Sequence, residues 1–210
     1  MGASLLAFFA FVGFEDLVNV AEETKTPAKT LPRAIFITLG ASALLYFLVS
    51  SVAVLMVPIE DLANAKAPLG LVFERTTGAT PELISAIAVL ATLNGMVIQM
   101  IMASRVIYGL SKQGSLPSLF ANVHPRTQTP LIATALVVTI ILVLALSFPL
   151  EGLAEMTSRI ALTVFALVNL ALLRVKLRGD PAPADAFLNW TWVHILGAMS
   201  CVGLLFADII

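Results

Sequence analysis

Of the 210 residues, 59% are hydrophobic and only 12% are charged, with a mean hydropathy of +0.98. A soluble domain carries about 25% charged residues to keep its surface wet, so this composition excludes a water-soluble globule and places the chain in a bilayer. The net charge of -1 says little as a sum, but the single cysteine, Cys201, excludes a disulfide within the chain and reads as an inert buried thiol.

Taken in chain order, MGASLLAFFAF lacks the basic region and cleavage site of a signal peptide. Leu6 stands where a myristoylation signal wants Ser or Thr. The chain thus begins inside a membrane segment, and a span needs about 20 apolar residues. The opening segment, 3–24, runs from apolar residues into Glu15 and Asp16. Segment 34–57 has no charge. Segment 83–111 carries Asn94 and Gln99 as its strong polar groups before its basic end, and 131–148 is short and rich in Val, Ile and Leu. Segment 153–174 tolerates Glu155 and Arg159 near its start, and 187–209 places Trp190 and Trp192 at one end, where an aromatic belt would lie. Only helices and closed barrels satisfy their backbone in lipid. The expectation is therefore an all-α transmembrane fold of six passes, forming a single, partial domain over residues 1–210.

The connections supply orientation. Lys25, Lys29 and Arg33, then Arg105, Lys112 and Arg126, then Arg174, Lys176 and Arg178 flank alternate loops, against Lys66, Arg75 and Arg159 on the other side. Basic loops face the cytoplasm, which assigns 25–33, 112–129 and 175–186 to that side. The first span then runs inward, an arrangement expected when preceding spans are missing from a shortened reading frame. In the outer connection 58–81, PIEDLANA reads as a short surface helix started at Pro58. Gly114, Pro117, Pro125 and Pro130 punctuate the loop GSLPSLFANVHPRTQTP.

The acidic pair needs a physical reason. On a helix stepping about 100° per residue, Glu15, Asp16, Asn19, Glu22, Glu23 and Thr26 fall in one arc, opposite Leu17, Val18, Val20 and Ala21. A polar face inside a membrane protein looks into protein or water. The alternative, a helix already emerged into the cytoplasm, leaves too few apolar residues before Glu15 to complete a span. Gly13 marks the change of character, because glycine tolerates a broken backbone. A break there strands the carbonyls of Ala10, Phe11 and Val12 at the negative end of the first half-helix, a place for an ammonium group or a cation. Glu15 and Asp16 then sit at the positive end of the second half-helix, where dipole compensation alone would also explain them.

FAFVGFEDLVNVAEETKTPAKTLPRAI closely resembles the sixth-helix signature of the amino acid–polyamine–organocation (APC) permeases. SRVIYGLSKQGSLP resembles the inner end of their eighth helix, NVHPRTQTP the loop into the ninth, and LAEMTSRIALTVFALVNLALLRVK the tenth. Four such motifs in order span essentially the whole chain and map it to helices six to eleven. The resemblance implies the second five-helix repeat of a 5+5 inverted-repeat transporter plus one further helix, with the first helix here broken near Gly13. It implies that Phe9 closes over the substrate, that Phe11, Val12 and Gly13 line the break beside Ala10, and that Glu15 occupies a position sometimes acidic in relatives.

Gln99 and Asn94 are further pocket candidates, although amides in membrane helices also tie helices together. Glu22 or Glu23 could pair with Arg105 as an inner gate. Arg159 could snorkel outward or pair with Glu155, its i-4 neighbour, and His194 reads as structural.

The function expected is secondary transport of amino acids or related amines by alternating access. Its partners are the substrate, the bilayer and the missing N-terminal helices, with no nucleic acid. No cofactor or metal is expected, and coupling to protons or to sodium stays open. The competing reading is a non-transporting membrane subunit or inactive permease fragment that acts only by helix packing. An intramembrane enzyme fits poorly, since Glu15 and Asp16 project about 100° apart on a helix.

Overall fold

The computed structural model describes residues 3–19, 21, 24–179, 181, 187 and 189–207. The fold is all-α. In chain order the elements are α1 (Ala3–Phe9), α2 (Asp16–Asn19), α3 (Pro27–Met56), α4 (Ile59–Asn64), α5 (Pro68–Thr77) and α6 (Pro81–Lys112). A 3-10 turn (Ser118–Ala121) follows, then α7 (Leu131–Ser147), α8 (Leu150–Arg178) and α9 (Thr191–Phe206). α3, α6 and α8, of 30, 32 and 29 residues, are long and apolar enough to cross a membrane. At a rise of about 1.5 Å per residue each exceeds the roughly 30 Å hydrocarbon layer. Leu55, Leu90 and Leu146 are 82%, 68% and 88% exposed, as side chains that meet lipid rather than water would be. This is a multi-pass membrane protein.

Proline sets where several helices begin. Its missing N–H costs nothing at a helix start, where that donor has no partner anyway. Pro27 opens α3, Pro68 and Pro81 stand in the first turns of α5 and α6, and Pro58 and Pro149 precede α4 and α8. α8 stops at Gly179, whose φ of +73° suits glycine and whose N–H returns to the Lys176 carbonyl at 3.2 Å.

α3 starts at Pro27, ahead of the apolar segment 34–57, and runs through Pro32. A proline this early forfeits only the bond to the Ala28 carbonyl. Among the described residues of the polar half-helix read over 15–26, the α-helical ones run from Asp16 to Asn19. Thr26 belongs to the next element: its carbonyl accepts from the Thr30 N–H at 2.9 Å, and its hydroxyl meets that of Thr30 at 3.0 Å. Pro27 is the reason, since it cannot donate to a helix arriving from Asp16 but can start a new one. α5 is a second helix in the connection 58–81, where the sequence points to one, PIEDLANA.

The chain forms two compact units, 1–39 with 140–210, and 40–139. In the first, Leu5, Leu162, Ala166 and Cys201 form a core lined by Phe8, Phe165, Leu204 and Leu205. α8 serves as the common wall for α1 and α9. Where α8 meets α9, a Cβ built on Gly197 would fall 2.6 Å from Asn169 Oδ1, so any larger residue has to push the Asn169 amide aside. Asn169 is held there by its Nδ2, which donates to the Phe165 carbonyl at 2.9 Å. Lys176 donates to both the carbonyl and the side-chain oxygen of Asn189, tying the end of α8 to the start of α9. In the second unit, Arg75 donates to Asp61 at 2.9 Å, joining α5 to α4. The Ser111 hydroxyl donates to the Pro117 carbonyl at 2.6 Å, fixing the 3-10 turn against the end of α6.

Candidate functional site

The break in the opening segment is the feature with chemistry. α1 ends at Phe9 and residues 10–15 form turns. The winding tightens first: the Phe11 N–H bonds to Phe8 O at 2.9 Å and the Val12 N–H to Phe9 O at 3.1 Å. Such i→i-3 bonds satisfy carbonyls at a helix end when the α-helical pattern stops. Gly13 follows with φ of +122°, a backbone state that L side chains rarely adopt.

Glu15 folds back onto this turn. Its Oε2 accepts the Gly13 N–H at 2.8 Å, and the Gly13 carbonyl accepts the Asp16 N–H at 3.2 Å. The carboxylate therefore satisfies a backbone donor that the break exposes, a charge-assisted bond stronger than a neutral one. Asp16, the first residue of α2, accepts from the Asn19 amide at 3.3 Å. Both acids lie near the N-terminal end of α2 and so complement the dipole direction, though a four-residue helix has little dipole to offer.

Aromatic contacts fix the break to α8. Phe8 meets Phe165 edge-on, with centroids 6.2 Å apart and planes at 76°. Phe14 meets the same ring at 5.7 Å and 43°. The fully buried Ser158 hydroxyl is shared between the carbonyls of Leu5 and Ala154, each at 2.9 Å. Phe9 is 38% exposed, one residue round the helix from the packed Phe8.

The structure brings Phe9, Ala10, Phe11, Val12, Gly13 and Glu15 into one short turn of the first unit. Gln99 and Arg105 lie on α6 in the second unit. There Arg105 borders a groove of about 610 Å3 with Val97, Ile101, Tyr108, Thr129 and Leu131. Glu22 and Glu23, the expected partners of Arg105, lie outside the described residues. Of the two alternatives for Arg159, pairing is the one realised: Nη2 and Nε meet Glu155 Oε1 at 2.6 and 3.1 Å. His194 is 4% exposed in α9, and its Nε2 has no hydrogen-bond partner among the described residues. Among the same residues no group of three or more His, Cys, Asp or Glu could hold a metal.

Phe165 and Ser158 were not singled out from the sequence. The available signal was the spacing of Ser158, Leu162, Phe165, Ala166 and Asn169, which fall on one face of a helix.

Comparison with known proteins agrees with this architecture. The profile of the amino acid permease family matches residues 1–210. The branched-chain amino acid permease BcaP of Bacillus subtilis is 31% identical over 86% of this chain and 39% of its own length. Cationic amino acid transporter 4 of Mus musculus is 29% identical over 90% of this chain and 30% of its own length. The mitochondrial cationic amino acid transporter 3 of Arabidopsis thaliana is 32% identical over 82% of this chain and 28% of its own. The chain thus spans well under half the length of these relatives. With the family pattern running from end to end, and a discontinuous helix at Gly13, the chain belongs to the amino acid permease family, a family of transporters and not of enzymes.

Proposed function

We propose that this chain supplies one half of the substrate pocket of a secondary transporter for amino acids or related amines. The observation that carries the proposal is the helix broken at Gly13, with its positive φ and its Glu15-capped turn. Exposed backbone at membrane depth is tolerated where it lines a cavity, and half-helix ends hold the charged groups of small substrates. The carbonyl end of α1 would face the substrate ammonium, with Phe9, Ala10, Phe11, Val12 and Gly13 lining the pocket. Gln99 would contribute from α6, and Glu15 would hold the turn in shape. The names of the relatives, a branched-chain amino acid permease and cationic amino acid transporters, support the substrate class.

In this reading the chain forms the second repeat of the 5+5 inverted fold plus one helix. It works by alternating access, with loops 25–33, 112–129 and 175–186 in the cytoplasm. Glu22 or Glu23 with Arg105 would close the inner side. The native protein in proteoliposomes should take up labelled branched-chain or cationic amino acids. Imposed proton and sodium gradients then separate the two coupling modes. A folded protein that takes up no amino acid or amine refutes the proposal and leaves the packing-only role.

A further inference from the structure

Both arms of the broken helix rest on a single ring. Phe8 precedes the break and Phe14 follows it, and each contacts Phe165 on α8. One face of α8 also carries Ser158, bound to the Leu5 carbonyl, and Leu162 and Ala166, packed in the same core. α1 is thus held to α8 by a hydrogen bond at Leu5 and by the ring at Phe8, while the turn after Gly13 reaches α8 through Phe14.

The turn itself is poorly suited to setting its own angle. Glycine has the broadest torsional freedom of any residue, and the i→i-3 bonds at Phe11 and Val12 have poorer geometry than full helical bonds. Something outside the turn has to fix the direction of one arm against the other. Ring pairs are directional, because the positive edge of one ring seeks the negative face of another, and each pair shifts an equilibrium by about two- to twelvefold beyond its buried area.

We infer that Phe165 is a positioning residue for the pocket: by holding Phe8 and Phe14 at once, it sets the angle between the two arms and so the place of residues 9–13. Its effect on substrate rests on the transport reading above; its effect on the geometry of the turn does not. Phe165 acts through the two rings and is not assigned any contact with substrate.

The test uses the native protein in proteoliposomes. Phe165→Ala should raise KM about tenfold while the maximal rate stays within about twofold, the combined effect of two ring pairs. Phe165→Tyr, which keeps the ring, should restore a near-native KM, and Phe165→Leu, which keeps bulk without a ring, should not. Combining Phe14→Ala with Phe165→Ala should add little to Phe165→Ala alone, because the Phe14–Phe165 contact is already gone. A substrate-free readout runs beside these. With Cys201→Ala as background, Val12→Cys should react with a water-soluble maleimide at a rate that Phe165→Ala changes by about threefold or more, while Lys66→Cys in the outer connection is unaffected.

If the native protein transports nothing, the transport reading falls and the labelling rate alone decides the positioning role. If uptake is normal and Phe165→Ala changes neither KM nor labelling, the positioning role falls alone. Should Phe165→Ala fail to fold, Phe165→Leu decides: native KM and native labelling overturn the inference, and a raised KM with altered labelling supports it.

Discussion

Replacing Gly13 by alanine isolates the backbone of the break from its side chains. The N–H that Glu15 accepts is kept, so the substitution adds one methyl group at a φ of +122°. Holding an L residue in such a region costs about 1–3 kcal/mol, since the Cβ meets the neighbouring carbonyl. That strain corresponds to about a 5- to 150-fold loss in the population of the native turn relative to any competing arrangement. If the turn forms the pocket, apparent affinity falls by up to that factor, while the helices away from it keep their packing. The measurement is KM for uptake in proteoliposomes, with the thermal midpoint of the purified protein in detergent. Gly203→Ala on α9 is the control: its new Cβ meets nothing within 4 Å, and alanine is the better helix former. Native KM and native midpoint in Gly13→Ala would show that the turn either does not need its positive φ or does not shape the pocket.

Removing the cap should show in the same assays. Glu15→Ala leaves the Gly13 N–H without its acceptor, at about 1–3 kcal/mol, whereas Glu15→Gln keeps an acceptor and should cost clearly less; equal losses would mean that the carboxylate does not hold the turn. Gly197→Ala should lower the thermal midpoint, because the methyl group displaces the Asn169 amide and its bond to Phe165, while Gly203→Ala on the same helix should not. Arg159→Met alone should destabilise more than Arg159→Met together with Glu155→Met, since the single change leaves a carboxylate unpaired within a span. The opposite order would mean the pair is held apart by partners other than each other.

The break was legible because three signals coincide within a few residues: an apolar run, a glycine, and a carboxylate where lipid would not accept one. What the helical wheel could not see was that Pro27 ends the pattern, so Thr26 caps α3 instead of closing α2. α5 was hidden for a different reason. PLGLVFERTT is ten residues long, too short to register as a span, and it lies inside a long connection. Phe165 was hidden by its surroundings. In a span where nearly every residue is apolar, hydropathy does not separate a side chain that meets lipid from one that meets protein, and only the position of its neighbours decides. The role of Glu15 depends on a rotamer that folds the carboxylate back by two residues, which no spacing rule encodes.

The Arg159–Glu155 pair bears on how the protein is made. A charge at the centre of a nascent hydrophobic helix resists partition from the translocon by about 2.5–3.5 kcal/mol, and Glu155 and Arg159, nearer the start of α8, meet a smaller barrier of the same kind. Here the counter-charge is one turn away on the same helix, with the guanidinium gripping a single carboxylate oxygen at 2.6 Å. α8 can therefore bring its own neutralisation into the lipid as it leaves the ribosome. Its insertion need not wait for α9, which leaves the ribosome after it, and the wall on which α9 packs is then already in place.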